Sequence, residues 1–235
     1  MMLEIENLQK TFNGIVAIHD LDYRMEEGTL ECIIGPNGAG KTTFFNLLTG
    51  ALRPDGGRII FDSEDITGQS LHEISRKGIV RKYQTPKVYN ELTVLKNLSI
   101  AATVENTNNA DERIHDTLEK IKLKGHQDQT AGSLDHGRKQ WLEIGMVRVN
   151  KPKLMLLDEP TAGMTNKETK ETADLIESMN ASGLSIIVIE HDMDFIRKLN
   201  SRITVLHKGE ILAQGDIDSI ESDERVQEVY IGGEA

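Results

Sequence analysis

The chain has 235 residues, of which 38 are acidic and 27 are basic, so its formal net charge is -11 at pH 7. This length is sufficient for a large α/β domain with a full core, which excludes small scaffolds held by several disulfides or a structural zinc. The acidic balance disfavours a protein that mainly binds nucleic-acid phosphates, because such binding relies on a basic surface. The single cysteine, Cys32, cannot form an intramolecular disulfide and favours a cytosolic location. The longest apolar runs are far shorter than the roughly 20 residues of a transmembrane helix, so no membrane span is expected.

The N-terminal part is predicted to contain strands that lead into a glycine-rich loop. Residues 3–8 alternate between apolar and polar side chains, and a second candidate strand covers residues 16–23. Leu30–Ile34 is apolar except at Glu31, which is typical of a buried central strand. A helix is predicted over Thr42–Leu52, directly after the loop.

A helical insertion is predicted in the middle of the chain. The stretch from about 92 to 150 has helical periodicity and weak strand character. We therefore expect a single α/β domain of residues 1–235, with an inserted helical subdomain at about 92–150.

The C-terminal part is predicted to return to the α/β pattern. Leu154–Leu157 and Ile186–Ile189 are expected to be buried parallel strands. Thr165 and Glu168 form a capping-box pattern for the helix between them. Residues 202–213 are predicted to form a hairpin.

The segment from Gly35 to Thr42 matches the phosphate-binding pattern G-x-x-x-x-G-K-[ST] and lies between a predicted strand and a predicted helix. Its glycines allow backbone N–H groups to surround phosphate oxygens, and the helix N-terminus favours negative charge. Lys41 is expected to reach the β- and γ-phosphates, and the Thr42 hydroxyl is expected to bind Mg²⁺. The expected nucleotide-binding residues are Gly35, Pro36, Asn37, Gly38, Ala39, Gly40, Lys41, Thr42 and Thr43.

Two adjacent carboxylates follow the predicted strand Leu154–Leu157. Asp158 and Glu159 lie at the carboxyl end of that strand, where α/β sheets place their ligands. In a nucleotide site, Asp158 is expected to hold Mg²⁺ through its water shell, and Glu159 is expected to polarise the attacking water. Without the phosphate-binding loop, the same pair would be interpreted as solvated acids at the end of a strand.

Together these motifs resemble those of ABC-type ATPases, and the resemblance covers essentially the whole chain. It implies a P-loop ATPase core of the α/β class, with a mixed sheet, antiparallel N-terminal strands and the inserted helical subdomain. Gln84 resembles the Q-loop glutamine, which in the family senses Mg²⁺ and the γ-phosphate. His191 resembles the switch histidine, which contacts the γ-phosphate and orients the water. Phe12 occupies the position where the family stacks an aromatic ring on adenine, with burial in the core as the alternative. Residues 162–165 resemble the D-loop.

The segment from Leu134 to Gln140 resembles the signature segment of the same family. There, a helix N-terminus faces the γ-phosphate bound by the opposite subunit of a head-to-tail dimer, which implies that Asp135 and Gly137 contact that nucleotide. The family usually has a small residue in place of Asp135, and commonly glutamine in place of Arg138. Two alternatives stay open for the Asp135 carboxylate. It either lies near the γ-phosphate and repels it, or turns aside to cap its helix or pair with Arg138.

The resemblance extends to a subgroup of the family. The short region between the Q-loop and the signature segment, together with the segment 229–232, resembles that of importers of branched-chain amino acids and related small polar solutes. Residues 139–146 and 162–165 resemble the ATPase subunit of urea importers more closely still. The residues of such a subunit do not identify the transported solute, because the ATPase never contacts it.

The resemblance also implies partners and a location. ATP and Mg²⁺ are the implied cofactors. The implied partners are transmembrane permease subunits, a second ABC ATPase or another copy of this chain, and indirectly an extracytoplasmic solute-binding protein. No nucleic acid is expected. The implied location is peripheral, on the cytoplasmic face of the bacterial inner membrane. The alternative is a soluble ABC ATPase that serves as an assembly scaffold, of the type used in iron–sulfur biogenesis.

Overall fold

The computed structural model describes residues 1–82, 88–102 and 109–231. The strands in these ranges are β1 Leu3–Phe12, β2 Ile15–Met25, β3 Leu30–Ile34, β4 Gly56–Phe61, β5 Glu64–Asp65, β6 Ile79–Lys82, β7 Leu154–Asp158, β8 Ser185–Ile189, β9 Arg202–His207 and β10 Glu210–Gly215. They form two sheets. One is antiparallel, in the order β2-β1-β4-β5, and the other has the order β10-β9-β3-β8-β7-β6.

Helices surround the second sheet. The helices of the described ranges are α1 Lys41–Leu48, α2 Leu71–Lys77, α3 Val94–Ala102, α4 Ala110–Lys120, α5 His136–Arg148, α6 Asn166–Asn180, α7 Met193–Leu199, α8 Ile217–Ser222 and α9 Glu224–Ile231. Within the part of the chain that the structure describes, none of them is both long enough and apolar enough to cross a membrane.

The larger sheet is mixed, because β3, β6, β7, β8 and β9 pair in parallel while β10 pairs antiparallel with β9. All residues of β7 and β8 are buried, as expected of parallel strands covered on both faces. Successive side chains point to opposite faces. Met155 and Leu157 pack with the helical side, whereas Leu154 and Leu156 pack towards α1 and the antiparallel sheet.

Most predicted elements are confirmed. β3 has the predicted bounds, and the predicted strands at 154–157 and 186–189 are β7 and β8, which are parallel neighbours. Thr165 is the N-cap of α6: its side chain accepts a hydrogen bond from the Glu168 N–H, and the Glu168 carboxylate accepts one from the Thr165 N–H at 2.8 Å. The predicted hairpin at 202–213 is formed by β9 and β10.

The predicted C-terminal end of the first helix, Leu52, is wrong. α1 ends at Leu48, and Gly50 has a φ of +71°, in the left-handed region. A Cβ at residue 50 would lie 2.4 Å from the Gln69 carbonyl oxygen. The close approach of residue 69 therefore requires glycine here, and glycine in this conformation ends the helix.

Three helices, α3, α4 and α5, lie between β6 and β7 in the sequence. In the fold they pack against one another. Leu98, Leu118 and Ile144, one from each helix, lie in the same core cluster. The Trp141 indole N–H on α5 donates to the Thr172 hydroxyl on α6 at 2.8 Å, which joins this group of helices to the rest of the fold. The bounds of an inserted subdomain, at about 92 and 150, stay a prediction.

Candidate functional site

Three adjacent strands of the larger sheet end at the same edge, and the predicted site residues follow them. β8 lies between β3 and β7, and Ile189 of β8 pairs with Ile33 on one side and with Asp158 on the other. The glycine-rich loop follows β3, and Glu159 follows β7 directly. His191 is the second residue after the end of β8. The parallel sheet therefore brings together three motifs that are far apart in the chain.

The loop between β3 and α1 has a backbone that only glycine permits at its two ends. Gly35 has a φ of +149°, and a Cβ there would lie 2.2 Å from the Leu206 carbonyl oxygen. Gly40 has a φ of +107°, and its Cβ would lie 2.6 Å from the Ala17 carbonyl oxygen. Both glycines thus let the loop pass close to neighbouring backbone.

The N-terminus of α1 directly follows this loop. Gly40 offers no side-chain cap, and the first turn contains no acidic residue, so the first N–H groups of the helix are available to an anion. The Lys41 ammonium folds over the loop and donates to the carbonyl oxygens of Gly35 and Pro36, the latter at 2.9 Å. Burial lowers the pKa of Lys41 below its ordinary value, while the nearby Glu159 and Asp158 carboxylates act in the opposite direction.

The Asp158 carboxylate is buried and pairs with a cation that sequence reasoning missed. One Arg81 nitrogen donates to Asp158 Oδ2, and the other donates to Asn46 Oδ1 at 2.6 Å. Arg81 therefore connects the end of β7 to α1. The signal in the sequence was the charged pair Arg81-Lys82 at the end of an apolar strand, since charges in a covered sheet need partners.

We expect Arg81→Lys to lower the free energy of unfolding by about 1 to 2 kcal/mol. Lysine keeps the charge, but one ammonium group cannot replace the planar fork that reaches both Asp158 and Asn46. Chemical unfolding followed by circular dichroism measures the change. The control is Arg58→Lys, since Arg58 pairs with Glu6 at the exposed surface, and its effect is expected to stay below about 0.5 kcal/mol. Equal decreases in the free energy of unfolding of the two variants would contradict the bridging role of Arg81.

Glu159 and His191 lie beside each other at the accessible edge of the sheet. Glu159 Oε1 is 3.9 Å from His191 Nδ1, and the side chains are 31% and 70% exposed. Glu159 has a φ of +45°, a strained conformation for a residue with a side chain, and its N–H donates to the Ile189 carbonyl oxygen at 2.9 Å. The two side chains are close enough to contact the same water molecule or phosphate oxygen.

Thr42 and Asp158 have the oxygen ligands that Mg²⁺ prefers. Thr42 is exposed in the first turn of α1, and its hydroxyl is a neutral oxygen donor. Asp158 adds a carboxylate at the end of β7, and its partner in the sheet, Ile189, also pairs with Ile33 just before the glycine-rich loop, which places the two motifs at the same end of the sheet. A hydroxyl and a carboxylate fit Mg²⁺ that is bound together with nucleotide phosphates. Gln84, the third predicted metal contact, lies outside the described residues.

Phe12 is not a core residue. Its side chain is 40% exposed at the end of the β1-β2 hairpin, and the Lys10 ammonium lies 5.5 Å from the centre of its ring. The same hairpin brings the Ala17 carbonyl against Gly40 of the phosphate-binding loop. An accessible aromatic face therefore lies on the strand pair that borders this loop.

The Asp135 carboxylate caps its own helix. Asp135 is the N-cap of α5, where Oδ1 accepts the Arg138 N–H at 2.9 Å and Oδ2 pairs with the Arg138 guanidinium at 2.6 Å. Of the two alternatives above, the structure has the second. Gly137 is buried, and a Cβ there would lie 2.7 Å from Glu168 Oε1. The start of α5 is thereby packed against the start of α6.

The D-loop segment contacts this helix start within the same chain. One ring nitrogen of His136 lies 2.8 Å from the Ala162 carbonyl oxygen. Thr165 is held in its capping box, as described above. The contact between His136 and Ala162 therefore joins the start of α5 to the segment 162–165, which begins three residues after Glu159.

Comparisons with known proteins agree with this geometry. Residues 18–162 match the family model described as ABC transporter. The high-affinity branched-chain amino acid transport ATP-binding protein BraF of Pseudomonas aeruginosa is 34% identical, over 98% of each chain. The probable branched-chain amino acid transport ATP-binding protein LivG of Archaeoglobus fulgidus is 33% identical, over 99% of this chain and 96% of its own. A solved ATP-binding cassette of an ABC transporter, in its ADP conformation, superposes with a TM-score of 0.91 at 32% identity over 98% of each chain.

Sequence, fold and comparisons point to the same family. The α/β core with its mixed sheet and antiparallel N-terminal strands is the fold of the solved cassettes, as the resemblance implied. The sequence similarity covers nearly the full length of the curated relatives as well as of this chain. The chain therefore belongs to the ABC transporter family, as one of its ATP-hydrolysing subunits.

Proposed function

We propose that this chain is the motor subunit of an importer for a small polar solute, and that it hydrolyses ATP at the edge where β3, β8 and β7 end. The observation that carries the proposal is the meeting of the glycine-rich loop, Asp158-Glu159 and His191 at three neighbouring strand ends. The phosphate-binding loop is a strong signal by itself, whereas a histidine at the end of a strand is a weak one. Their juxtaposition supplies a phosphate cradle, an acidic metal ligand and a polar pair in one place.

Nucleotide binding is assigned to the loop and the start of α1. The backbone N–H groups within residues 35–43, except at Pro36, which has none, surround the β- and γ-phosphates, and the Lys41 ammonium moves from the carbonyl oxygens of Gly35 and Pro36 to the phosphate oxygens. Phe12 stacks on the adenine ring. Thr42 would hold Mg²⁺ through its hydroxyl and Asp158 through the water shell of the ion, and the bound ion would supply positive charge beside the phosphates. Because Oδ2 of Asp158 is bonded to Arg81, Oδ1 is the oxygen left for this role.

Hydrolysis is assigned to Glu159 and His191. The Glu159 carboxylate accepts a proton from the attacking water, whose oxygen bonds to the γ-phosphorus while the bond to the β-phosphate oxygen breaks. His191 orients this water and contacts the γ-phosphate. Gln84 senses the γ-phosphate and couples the site to the permease subunits. The distance of 3.9 Å between Glu159 and His191 supports their action on one water molecule.

A second ATPase subunit, or a second copy of this chain, completes the site. In the proposed head-to-tail dimer, Asp135 and Gly137 at the start of α5 face the nucleotide of the opposite subunit. The N-terminus of α5 is suited to this position because it favours an anion. The pairing of Asp135 with Arg138 offsets the negative charge of the carboxylate, and therefore reduces its repulsion of the partner's γ-phosphate.

We expect Asp135→Ser to strengthen ATP-driven dimerisation by roughly threefold, which corresponds to the modest energy of an exposed charge. Serine also caps helices, so α5 keeps its N-cap while the carboxylate is lost and the Arg138 cation remains. Sedimentation of the full chain with a non-hydrolysable ATP analogue measures the dimer dissociation constant. ATP binding to the isolated subunit should not change.

The matched control for this variant is Asp216→Ser. Asp216 is the N-cap of α8 and accepts the Ser219 N–H at 2.9 Å, but it lies outside the signature segment. We expect no effect of this control on dimerisation. Weaker dimerisation of Asp135→Ser would mean that the carboxylate makes a favourable contact, and that its proposed placement at the partner's nucleotide is wrong.

The proposed solutes are branched-chain amino acids, urea or short amides. The curated relatives named above are branched-chain amino acid transport proteins, which supports the first class. The sequences at 139–146 and 162–165 favour urea.

The proposed partners are transmembrane permease subunits, which the chain binds peripherally at the cytoplasmic face of the bacterial inner membrane. An extracytoplasmic solute-binding protein delivers the solute. A scaffold role is not favoured, because those relatives are named as transport proteins.

Uptake into membrane vesicles tests the proposal. Vesicles that carry this chain with its permease subunits are given the solute-binding protein, labelled leucine or labelled urea, and ATP on the side of the ATPase. We expect ATP-dependent uptake of one of these solutes, with no uptake when the chain carries Lys41→Ala. Retained ATP hydrolysis without uptake of either solute would contradict the import of branched-chain amino acids and of urea, and would leave the ATPase assignment intact.

A further inference from the structure

A buried carboxylate, Glu190, joins the two loops that carry the polar pair of the site. Glu190 follows β8 directly, and its side chain is 1% exposed. Its Oε1 accepts hydrogen bonds from the Thr161 hydroxyl and from the Thr161 N–H, the latter at 3.1 Å. Its Oε2 accepts the His191 N–H at 3.0 Å. One side chain thus binds backbone at the ends of both β7 and β8.

The two loops that Glu190 joins position Glu159 and His191. Thr161 is two residues after Glu159, and the Ala162 N–H donates to the Glu159 carbonyl oxygen at 3.2 Å, which closes a tight turn. His191 Nδ1 is 3.8 Å from Glu190 Oε2 and 3.9 Å from Glu159 Oε1. The His191 imidazole is largely exposed and has little packing of its own, so its placement depends on its backbone.

A purely space-filling role does not account for a carboxylate at this position. The four residues that precede it, Ile186–Ile189, are apolar and buried, and another apolar side chain would fill the space without the cost of burying a charge. Glu190 offsets that cost through the hydrogen bonds that it accepts from Thr161 and from the His191 N–H. What the carboxylate adds over an apolar residue is two acceptor oxygens that point to two different loops.

We propose that Glu190 is a positioning residue for ATP hydrolysis, which holds the His191 backbone and the turn after Glu159 at a constant separation. The inference rests on the roles that the proposed function gives to Glu159 and His191. Glu190 does not contact nucleotide or water in this role. It fixes where the imidazole and the catalytic carboxylate lie when the γ-phosphate arrives.

Glu190→Gln tests this role with little change of shape. An amide has one acceptor oxygen, and its NH₂ group faces an N–H whichever way it is turned, so either Thr161 or His191 loses its acceptor. We expect kcat for ATP hydrolysis by the purified full chain to fall about tenfold, the effect of losing one charge-assisted hydrogen bond, while KM for ATP stays within about twofold. The matched control is Glu31→Gln, because Glu31 is also buried and hydrogen-bonded, by the Tyr23 hydroxyl at 2.8 Å, but lies nearer the opposite end of β3. This control should lower the melting temperature without lowering kcat.

A double-mutant cycle separates positioning from general destabilisation. In a His191→Ala background, Glu190→Gln should lower kcat by only about threefold, less than the tenfold expected in the unmodified chain, because one of the two groups that it positions is already absent. If the kcat losses of Glu190→Gln and His191→Ala simply multiplied in the double variant, the inference would be overturned. An unchanged kcat for Glu190→Gln alone would also overturn it. An unchanged kcat for His191→Ala alone would overturn the proposed role of His191 and this inference with it. Multiplicative losses would leave the proposed function intact.

Thr161 provides a milder pair of variants if Glu190→Gln does not fold. Thr161→Val removes only the hydroxyl bond to Glu190 and should lower kcat by roughly threefold, as expected for part of one hydrogen bond. Thr161→Ser keeps the hydroxyl and should restore kcat to the level of the unmodified chain. Equal kcat for the valine and serine variants would contradict the inference.

Discussion

Replacing Lys41 with alanine is expected to lower the affinity for ATP by roughly 10²-fold or more, because the variant lacks the mobile cation of the phosphate-binding loop. The Lys41 ammonium is half-buried and held within the loop by the carbonyl oxygens of Gly35 and Pro36. It therefore needs only a short movement to reach a phosphate. Calorimetric titration of the full chain with ATP measures the change.

The controls separate the charge of Lys41 from the folding of the loop. Lys153→Ala removes an exposed lysine that pairs with Asp62 far from the loop, and should leave ATP affinity unchanged. The melting temperature of Lys41→Ala should stay close to that of the unmodified chain. Near-normal ATP affinity of Lys41→Ala would count heavily against nucleotide binding at this site.

Replacing Glu159 with glutamine is expected to lower kcat by roughly 10²- to 10⁴-fold while ATP still binds, as for the loss of a general base. The amide keeps the shape of the side chain but cannot accept a proton from the attacking water. Steady-state hydrolysis and ATP titration measure the two quantities separately. The matched control is Glu224→Gln, an exposed position on α9, which should retain full turnover.

The same variant should accumulate as an ATP-bound dimer. Glu159→Gln removes a negative charge from the neighbourhood of the γ-phosphate and also slows the step that ends the ATP-bound state. Gel filtration with ATP and Mg²⁺ should show a dimer that the unmodified chain does not retain. If Glu159→Gln kept full turnover, another group would have to be the base, and His191 is the next candidate.

The elements that the sequence determined are those specified by neighbouring residues. The apolar runs at 154–157 and 186–189 predicted buried strands, because parallel strands covered on both faces need continuous apolar side chains. The Thr165-Glu168 capping box predicted the start of α6, because both of its hydrogen bonds lie within four residues. The glycine-rich segment ending at Lys41 predicted a phosphate-binding loop, because its spacing sets a local backbone shape.

Side-chain partners from distant parts of the chain were decided only by the tertiary structure. Nothing near Asp158 in the sequence indicates that Arg81 pairs with it, and nothing near His191 indicates that Glu190 also binds Thr161. The early end of α1 at Leu48 follows from the approach of Gln69 to Gly50. For Asp135, the sequence left two orientations open, and the position of Arg138 one turn later on α5 decided between them.

The physical reason for this division lies in the range of the interactions. Hydrophobic periodicity, capping and glycine conformations act over a few neighbouring residues, so they can be recognised along the chain. Buried hydrogen bonds and ion pairs form only after strands such as β6, β7 and β8 have become neighbours in the sheet. A buried charge such as Arg81 or Glu190 predicts that a partner exists, since burial without one is costly. Which residue serves as that partner is determined by the order of the strands.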